Sequence, residues 1–168
     1  MIWRLAAAVV LRLRALAWNI VYRSYRARYD IDPSFNFNGE GIQLFGDGTI
    51  ELGSTSYIGS HSSIQAAAGQ RVRIGRLCRI SHNVRIYTST SNADVSFLTD
   101  ADRIESGSVT IGDGAWVGTN VYIGPGITIG NNAIVGANAV VSRDVPEGEI
   151  WGGVPARFIR RKQPGGVQ

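Results

Sequence analysis

Aliphatic side chains recur at every sixth residue through the C-terminal half of the chain. The recurring position is occupied by Ile111, Val117, Ile123, Ile129, Val135 and Val141. A second small or aliphatic residue stands two positions before each of them: Val109, Ala115, Val121, Ile127, Ala133 and Ala139. Because side chains alternate between the two faces of a strand, this pattern predicts short strands with one inward, apolar face.

A strand that must turn every six residues is expected to coil rather than to form a flat sheet. With three hexapeptides in each turn, residues eighteen positions apart lie above one another. The predicted stacked pairs are Ile111 with Ile129, Val117 with Val135 and Ile123 with Val141. The same spacing predicts two earlier turns, at Ile74, Ile80 and Ile86 and at Leu52, Ile58 and Ile64. The sequence therefore predicts an all-β solenoid.

The repeat divides the chain into three segments. Residues 1–30 contain neither glycine nor proline and are predicted to form a helix. The solenoid is expected over residues 40–145, and a basic segment follows at 146–168. Where the repeat is interrupted, residues 88–107 are predicted to leave the coil as a protruding loop. A long loop on a regular scaffold is a typical place for a binding function.

The predicted N-terminal helix is basic and amphipathic. At about 100° per residue its polar side chains gather on one arc, formed by Arg4, Arg12, Asn19, Arg23 and Arg26. Its uncharged runs are no longer than about ten residues, whereas crossing a bilayer needs about 20, so a transmembrane helix is not expected. Two interpretations stay open, packing on the solenoid or contact with an anionic membrane surface.

Composition narrows the possible functions. The net charge is +4, and most basic residues lie near the two ends of the chain, which favours membrane lipid or phosphate over nucleic acid as a partner. The single cysteine, Cys78, excludes an intrachain disulfide, and the sequence predicts no metal site. Cys78 falls at an inward position and is expected to be a small core residue of a cytoplasmic protein.

The hexapeptide repeats, the long loop and the stretch IWGGVPARFIRRK at residues 150–162 together resemble the hexapeptide-repeat acyltransferases. The likeness covers about residues 40–162 and is greatest to the maltose, galactoside and polysaccharide O-acetyltransferases. It implies a left-handed parallel β-helix, here with an N-terminal α-helix and a protruding loop, that assembles as a homotrimer. It also implies acetyl-CoA as the acyl donor and a sugar or polysaccharide precursor as the acceptor.

The resemblance assigns seven residues to acetyl-CoA. They are Trp116, Thr119, Ala137, Ser142, Arg143, Arg157 and Arg160. Small side chains let the pantetheine arm approach backbone amides, and arginines bind the phosphates of CoA. The alternative for Trp116 is packing in a trimer interface. The alternative for the arginines is a solvated basic tail.

The loop lacks the histidine that serves as the base in the resembled family. Ser91 stands at about that place, and a serine cannot act as a general base near neutral pH. Of the two histidines, His61 is expected to be a solvated turn residue, whereas His82 directly precedes the strand that leads into the loop. Asn83 matches the family asparagine that orients the acceptor. We therefore predict His82 as the base beside Asn83, at the loop mouth; the alternative is a corner histidine bonded to backbone.

Three functions stay open on the sequence alone. The first is an acetyltransferase that acts on a sugar hydroxyl in cell-surface polysaccharide synthesis, in the cytoplasm at the inner membrane. The second, favoured by the absent loop histidine, is a non-catalytic trimeric β-helix that binds CoA, a sugar or a partner. The third is an N-acetyltransferase for an amino sugar. Four loop carboxylates either orient an imidazole or are merely solvated: Asp94, Asp100, Asp102 and Glu105.

Overall fold

The computed structural model describes residues 2–94, 98 and 103–163, so the expectations for Asp100 and Asp102 lie outside the described residues. The one helix in this part of the chain, α1, spans Ile2–Arg28. The strands are β1 (Asp30–Ile31), β2 (Asn36–Asn38), β3 (Gln43–Phe45), β4 (Thr49–Leu52), β5 (Tyr57–Gly59), β6 (Ser63–Gln65), β7 (Arg71–Ile74), β8 (Arg79–Ile80), β9 (Arg85–Tyr87), β10 (Ser89–Ser91), β11 (Ile104–Ser106), β12 (Val109–Ile111), β13 (Trp116–Val117), β14 (Tyr122–Ile123), β15 (Thr128–Ile129), β16 (Ile134–Val135), β17 (Val140–Val141), β18 (Glu149–Gly152) and β19 (Arg157–Arg161).

Three parallel sheets form the faces of the solenoid. Sheet A contains β1, β4, β7, β12 and β15, and sheet C contains β3, β6, β9, β14 and β17. Sheet B contains β2, β5, β8, β13, β16 and β18, with β19 antiparallel on its edge. Each turn of the chain contributes one strand to each sheet. We number the turns coil 1 (β1–β3), coil 2 (β4–β6), coil 3 (β7–β9), coil 4 (β12–β14) and coil 5 (β15–β17). The predicted left-handed parallel β-helix is confirmed.

The strand register confirms the predicted stacking of the core. The pairs are Ile111 with Ile129, Val117 with Val135 and Ile123 with Val141. All six side chains are fully buried, and so is Cys78. Burial of an aliphatic side chain of this size stabilises a fold by about 1.5–3 kcal/mol, so the repeated position accounts for much of the cohesion between coils.

The solenoid is longer at both ends than the repeat predicts. It begins with β1 rather than near residue 40, because Phe35 and Ile42 fill a first turn that lacks the hexapeptide pattern. At the other end, Val145 forms a parallel bridge to β15, and β18 pairs with β16. The coil therefore continues past residue 145 into a partial sixth turn.

Helix α1 is anchored by its C-terminal half. The side chains that pack against the core are Trp18, Val21, Tyr22 and Tyr25. Tyr22 stacks on Phe37 with ring centroids 4.4 Å apart, and its hydroxyl donates to the carbonyl of Gly39 over 2.8 Å. Residues 2–17 are all exposed. By length and composition alone, α1 is long and apolar enough to cross a bilayer.

The predicted loop protrudes from the end of sheet C. Strands β10 and β11 pair antiparallel as the stem of a hairpin between coil 3 and coil 4. At its base the buried Thr88 accepts the N–H of Ala67 over 2.8 Å and donates to the carbonyl of Gln65 over 3.1 Å. These bonds satisfy polar backbone groups where the chain leaves the coil.

Candidate functional site

Two columns of corners flank sheet C, and the predicted site residues are divided between them. Corner BC denotes the turns from sheet B to sheet C: Ser60–His61, His82–Asn83, Thr119–Asn120 and Ala137–Asn138. Corner CA denotes the turns from sheet C to sheet A, which include Thr88, Gly124–Gly126 and Ser142–Arg143. The hairpin of β10 and β11 leaves the solenoid at corner CA.

Corner BC is a continuous edge held by backbone hydrogen bonds between coils. The N–H of Asn120 donates to the carbonyl of His82 over 3.1 Å, and the N–H of Asn138 donates to the carbonyl of Thr119 over 2.9 Å. His82, Thr119 and Ala137 therefore lie one above another in coils 3, 4 and 5. At about 4.8 Å per coil, the column rises about 10 Å from the imidazole to Ala137.

A ladder of asparagine amides supports this edge. Asn83, Asn120 and Asn138 all have positive φ, at 56°, 61° and 60°. The amide nitrogen of Asn83 donates to Oδ1 of Asn120 over 2.7 Å, and that of Asn120 donates to Oδ1 of Asn138 over 3.0 Å. Asparagine tolerates the left-handed conformation better than other non-glycine residues. The ladder therefore sets the shape of corner BC, and Asn83, predicted to orient the acceptor, is its first rung.

Asn120 and Asn138 were missed by the sequence analysis. The available signal is their spacing: each directly follows a predicted CoA-binding residue, and they lie eighteen positions apart, one full coil. Asparagine favours positive φ, so an asparagine that recurs every eighteen residues indicates a corner with the same backbone conformation in each coil.

His82 is exposed at the lower end of this column and bonded to the backbone. Its Nδ1 accepts the N–H of Ser60 over 3.0 Å. A neutral imidazole has one acceptor nitrogen and one donor nitrogen, so this bond assigns the proton to Nε2. The ring thus presents an N–H donor to solvent, and Nδ1 can take up a proton only when the Ser60 bond opens.

His82 was expected at the mouth of the loop, and this expectation is wrong for the His82 and the loop of the same chain. His82 precedes β9 and the hairpin follows it, so the imidazole and the loop lie at opposite corners of sheet C. His82 and Thr88 are six residue steps apart, which corresponds to at most about 20 Å of extended chain. Ser91, at the place of the family histidine, ends β10 and is exposed on the hairpin. Of the loop carboxylates, Asp94 and Glu105 are exposed on the hairpin side.

The outer face of sheet B connects two of the predicted CoA residues. Trp116 is 48% exposed and pairs with Ile134, which pairs with Ile150, which pairs with Arg160. Trp116 and Arg160 therefore lie in one outward row, three strands or about 14 Å apart. An indole and a guanidinium along one face suit a flat, charged ligand.

Arg157 lies where corner BC reaches the C-terminal end of the solenoid. It pairs with Gly152, and the carbonyl of the next residue, Gly153, accepts the N–H of Val140 over 3.0 Å. The exposed guanidinium of Arg157 donates to the carbonyl of Ala156 over 2.9 Å. The small residues of corner BC thus lead upward to an exposed cation.

Ser142 and Arg143 do not join this group, since they lie at corner CA. Both are exposed, and Ser142 is five residue steps from Ala137 in coil 5, or at most about 16 Å of extended chain. One chain therefore places seven of the nine predicted residues on sheet B or corner BC: His82, Asn83, Trp116, Thr119, Ala137, Arg157 and Arg160. The other two, Ser142 and Arg143, face the far side of sheet C.

The face of sheet C between the two corners is partly aromatic. Tyr87 packs edge to face against Tyr122, with ring centroids 5.9 Å apart. Burial raises the pKa of Tyr122 above its usual value of 10.0. Its phenol therefore stays protonated near neutral pH. In the part of the chain that the structure describes, no cluster of three His, Cys, Asp or Glu side chains could hold a metal ion.

Comparisons with known proteins agree with this architecture. The family profile described as "Bacterial transferase hexapeptide (six repeats)" matches residues 108–143, which include all strands of coils 4 and 5. A hexapeptide-repeat containing acetyltransferase from Vibrio cholerae O1 biovar eltor, complexed with acetyl-CoA, is 27% identical with a TM-score of 0.68. That match covers 84% of this chain and 76% of that one.

Two sugar acetyltransferases show the same likeness. A maltose O-acetyltransferase from Clostridium difficile 630 is 27% identical, with a TM-score of 0.60, over 77% of this chain and 71% of its own. A galactoside acetyltransferase in complex with coenzyme A is 28% identical, with a TM-score of 0.63, over 77% of this chain and 66% of its own. The resemblance to hexapeptide-repeat acetyltransferases is confirmed.

Proposed function

We propose that this chain is an acetyltransferase that moves an acetyl group from acetyl-CoA to a sugar hydroxyl, with corner BC as its catalytic edge. One observation carries the proposal: His82, Thr119 and Ala137 share a single column that leads to Arg157. Similar proteins bind acetyl-CoA or CoA, and two of them act, by their names, on maltose or a galactoside. A role in cell-surface polysaccharide synthesis is the finer form of the proposal.

The donor lies along corner BC in this proposal. The short side chains of Thr119 and Ala137 leave backbone amide and carbonyl groups within reach of the pantetheine arm. The arginines beyond them, Arg157 and Arg160, bind phosphate oxygens by charged hydrogen bonds. With the phosphates at the C-terminal end of the column, the thioester lies toward coil 3, where the imidazole is.

A second chain completes the site. Ser142 and Arg143 match donor contacts of the resembled family but lie at corner CA, about one strand length from Ala137. A groove in which corner BC of one chain faces corner CA of another brings all nine residues together, and it also brings the loop to the imidazole. We therefore propose a homotrimer with the acceptor entering from the loop.

The chemical step needs a group that takes the hydroxyl proton. The acceptor oxygen attacks the thioester carbonyl carbon, its proton passes to His82, the C–S bond breaks, and the proton leaves on the CoA thiol. His82 is the proposed base because it is the histidine in the column. Its Nδ1 is engaged by Ser60, so proton uptake follows opening of that bond.

Three substitutions at one position test this role. His82→Asn keeps an acceptor for the N–H of Ser60, His82→Gln keeps a donor near Nε2, and His82→Ala keeps neither. If His82 is the base, all three lower kcat by about 10²–10⁴ and leave the affinity for CoA nearly unchanged. The matched control, His61→Ala, removes the other histidine and is expected to cost little.

Steady-state kinetics separate the two possible roles of the ring. Near wild-type activity in His82→Gln would mean that the imidazole donates a hydrogen bond instead of taking a proton. Near wild-type activity in all three variants would mean that a loop carboxylate or the substrate itself carries the proton. In either case the assignment of the base fails while acetyl transfer itself stands.

A non-catalytic CoA-binding β-helix is the second candidate. The absent loop histidine and the engaged Nδ1 of His82 favour it. The decisive experiment incubates the purified chain with acetyl-CoA and a sugar panel and measures free thiol. CoA binding without thiol release across the panel would establish the non-catalytic function.

Oxygen and nitrogen acceptors require a separate test. The panel should pair each sugar with its amino analogue, for example glucose with glucosamine. Treatment of the product with hydroxylamine cleaves an acetyl ester and leaves an acetamide intact. A product that resists hydroxylamine would replace the proposed O-acetyl transfer with N-acetyl transfer.

A further inference from the structure

The exposed half of α1 carries a continuous apolar surface that no residue described by the structure covers. At about 100° per residue, eight of its nine exposed large apolar side chains fall within one arc of about 160°, and the ninth, Leu11, lies on the other side of the helix. This apolar arc consists of Ile2, Trp3, Leu5, Val9, Val10, Leu13, Leu16 and Ile20. Each of them is at least 54% exposed. Trp18 and Tyr22, which pack on the core, lie on the opposite side of the helix, and Val21 lies at the border of the arc.

The charge of α1 has one sign. The helix contains six arginines and neither aspartate nor glutamate: Arg4, Arg12, Arg14, Arg23, Arg26 and Arg28. Three of them are engaged by the rest of the chain. Arg14 pairs with Glu40, and Arg26 and Arg28 donate to backbone carbonyls, that of Arg28 to Gly46 over 2.7 Å.

The other three arginines have no hydrogen-bond or ion-pair partner among the described residues. They are Arg4, Arg12 and Arg23, all exposed. Arg12 lies about 20° beyond one border of the apolar arc. Long cationic side chains beside an apolar face reach the polar layer while their stems cover apolar surface. The basic arc therefore has fewer free arginines than the sequence predicts, because Arg26 donates to backbone carbonyls of its own chain.

We propose that residues 2–17 of α1 dock on the surface of a bilayer that contains anionic lipid, with the apolar arc buried among the acyl chains and the free arginines at the headgroups. Apolar side chains with a tryptophan on one face and cations on the other are the features by which helices lie in the interface. The occupant is identified by charge complementarity, since three free arginines on a helix without an acidic residue favour an anionic surface.

A spanning arrangement does not fit the packing. The C-terminal half of α1 is held against coil 1, which leaves sixteen residues, about 24 Å of helix, for a hydrocarbon core of about 30 Å. Spanning would also place Arg12 in the hydrocarbon, where a charged side chain is strongly disfavoured. A second copy of α1 as occupant would bring the free arginines of two helices together, and α1 contains no acidic residue that could pair with them.

Vesicle sedimentation of the full-length chain tests the proposal. The probes are vesicles of phosphatidylcholine alone and of phosphatidylcholine with phosphatidylglycerol. We expect partitioning onto the anionic vesicles to exceed that onto neutral vesicles by at least about tenfold at low salt, and the difference to shrink as salt screens the arginines. The readout does not depend on acetyl transfer, so it fails or succeeds independently of the proposed function.

Uncharged substitutions on two sides of the helix provide a matched comparison. Val9→Gln with Leu13→Gln changes the apolar arc, and Ala7→Gln with Ala8→Gln changes the same turns outside it. All four positions are exposed, so the fold is expected to be unaffected, which circular dichroism checks. We expect the first pair to lower partitioning by about tenfold or more and the second by less than about threefold.

The charge is tested separately. Arg4→Gln with Arg12→Gln is expected to remove about a fivefold factor for each arginine on anionic vesicles and to leave binding to neutral vesicles unchanged. Absence of binding to anionic vesicles at low salt would overturn the proposal. If the arc variant then also reduced the mass measured by light scattering, the occupant would be a second copy. Equal, salt-resistant partitioning onto neutral and anionic vesicles would mean that lipid charge does not select the surface, which would also overturn the proposal.

Discussion

Corners BC and CA bound the same sheet and have opposite designs. Corner BC repeats in coils 3, 4 and 5 with an asparagine at positive φ in each coil. Corner CA is interrupted by the hairpin between Tyr87 and Val109. The core beneath is unaffected, since Ile86 still pairs in register with Ile123. The regular corner therefore supplies a fixed edge, and the irregular one accommodates inserted residues without disturbing the stacked core.

Blocking each corner in turn tests whether both corners belong to the site. Ala137→Phe fills corner BC and Ser142→Phe fills corner CA, both at exposed positions. If the site lies between two chains, each variant should lose about 10² in acetyl-transfer rate, because a donor displaced by an ångström loses about that much. Coupled thiol release measures both, and stability should stay at the wild-type value.

Mixed oligomers decide whether the two corners belong to one site. Co-expression of the two blocked variants generates a groove with corner BC from one chain and corner CA from another, both unblocked. We expect the mixture to recover a substantial fraction of activity, whereas each variant alone stays inactive. Without recovery, the two corners act within a single chain and the shared groove is wrong.

The arginines at the two corners should contribute comparably to donor binding. Arg160→Ala at the edge of sheet B and Arg143→Ala at corner CA should each weaken CoA binding by about 1–3 kcal/mol, the range of hydrogen bonds to charged groups. Calorimetry with CoA and with CoA that lacks the 3′-phosphate identifies the phosphate that each one binds. Arg71→Ala on sheet A is the control, and a loss as large as the others would indicate only a general charge effect.

The regular corner should respond to the loss of one rung. Asn120→Ala keeps a β-carbon in the left-handed conformation but removes the amide and its two ladder hydrogen bonds, so we expect the free energy of unfolding to fall by about 1–2 kcal/mol. Asn120→Gly adopts the same φ without strain and should lower the free energy of unfolding less, mainly through the lost hydrogen bonds. Urea denaturation measures both. Equal stability of the alanine variant and the wild type would show that the ladder does not hold the edge.

The third column of corners, between sheets A and B, should show the smallest effect. The carboxylate of Asp113 accepts hydrogen bonds from the backbone N–H of Arg76 and, over 2.9 Å, from the Nε–H of the same residue. These two bonds, the backbone one foremost, hold the pKa of Asp113 below its usual 3.8. Because the folded-state pKa is lowered, this contribution is present above about pH 4 and is lost as pH falls through the lower folded-state value. The stability difference between wild type and Asp113→Asn should therefore shrink from pH 5 to pH 2.5. A constant difference would mean that ionisation of Asp113 does not contribute.

The repeat predicted the parts of the fold that obey it. The stacking of Ile111 on Ile129 follows from the six-residue period alone. If one residue in every six faces inward and three strands make a turn, residues eighteen positions apart must stack. Coil 1 could not be predicted this way. Its core is filled by Phe35 and Ile42, at spacings outside the hexapeptide pattern, and α1 covers it.

The site was predictable residue by residue but not as an arrangement. Thr119 and Ala137 were expected together, and they share corner BC. His82 was expected beside the loop but lies one strand away from it. The two ends of a strand lie at different corners of the coil, so segments on either side of β9 are close in sequence but apart in space. The bond from Ser60 to His82 joins residues in consecutive coils, so the pattern of either segment alone does not reveal it.

The elements that close the two ends of the solenoid also determine its length. At one end α1 packs over coil 1. At the other, β19 pairs along β18, Val145 bonds to β15, and the N–H of Ala156 donates to the carbonyl of Val140 over 2.8 Å. Open strand edges recruit further strands, and stacked parallel coils offer three such edges at each end. Because these elements cover most of both ends, stacking of coils from separate molecules into a fibre is disfavoured, and association is directed to the flanks.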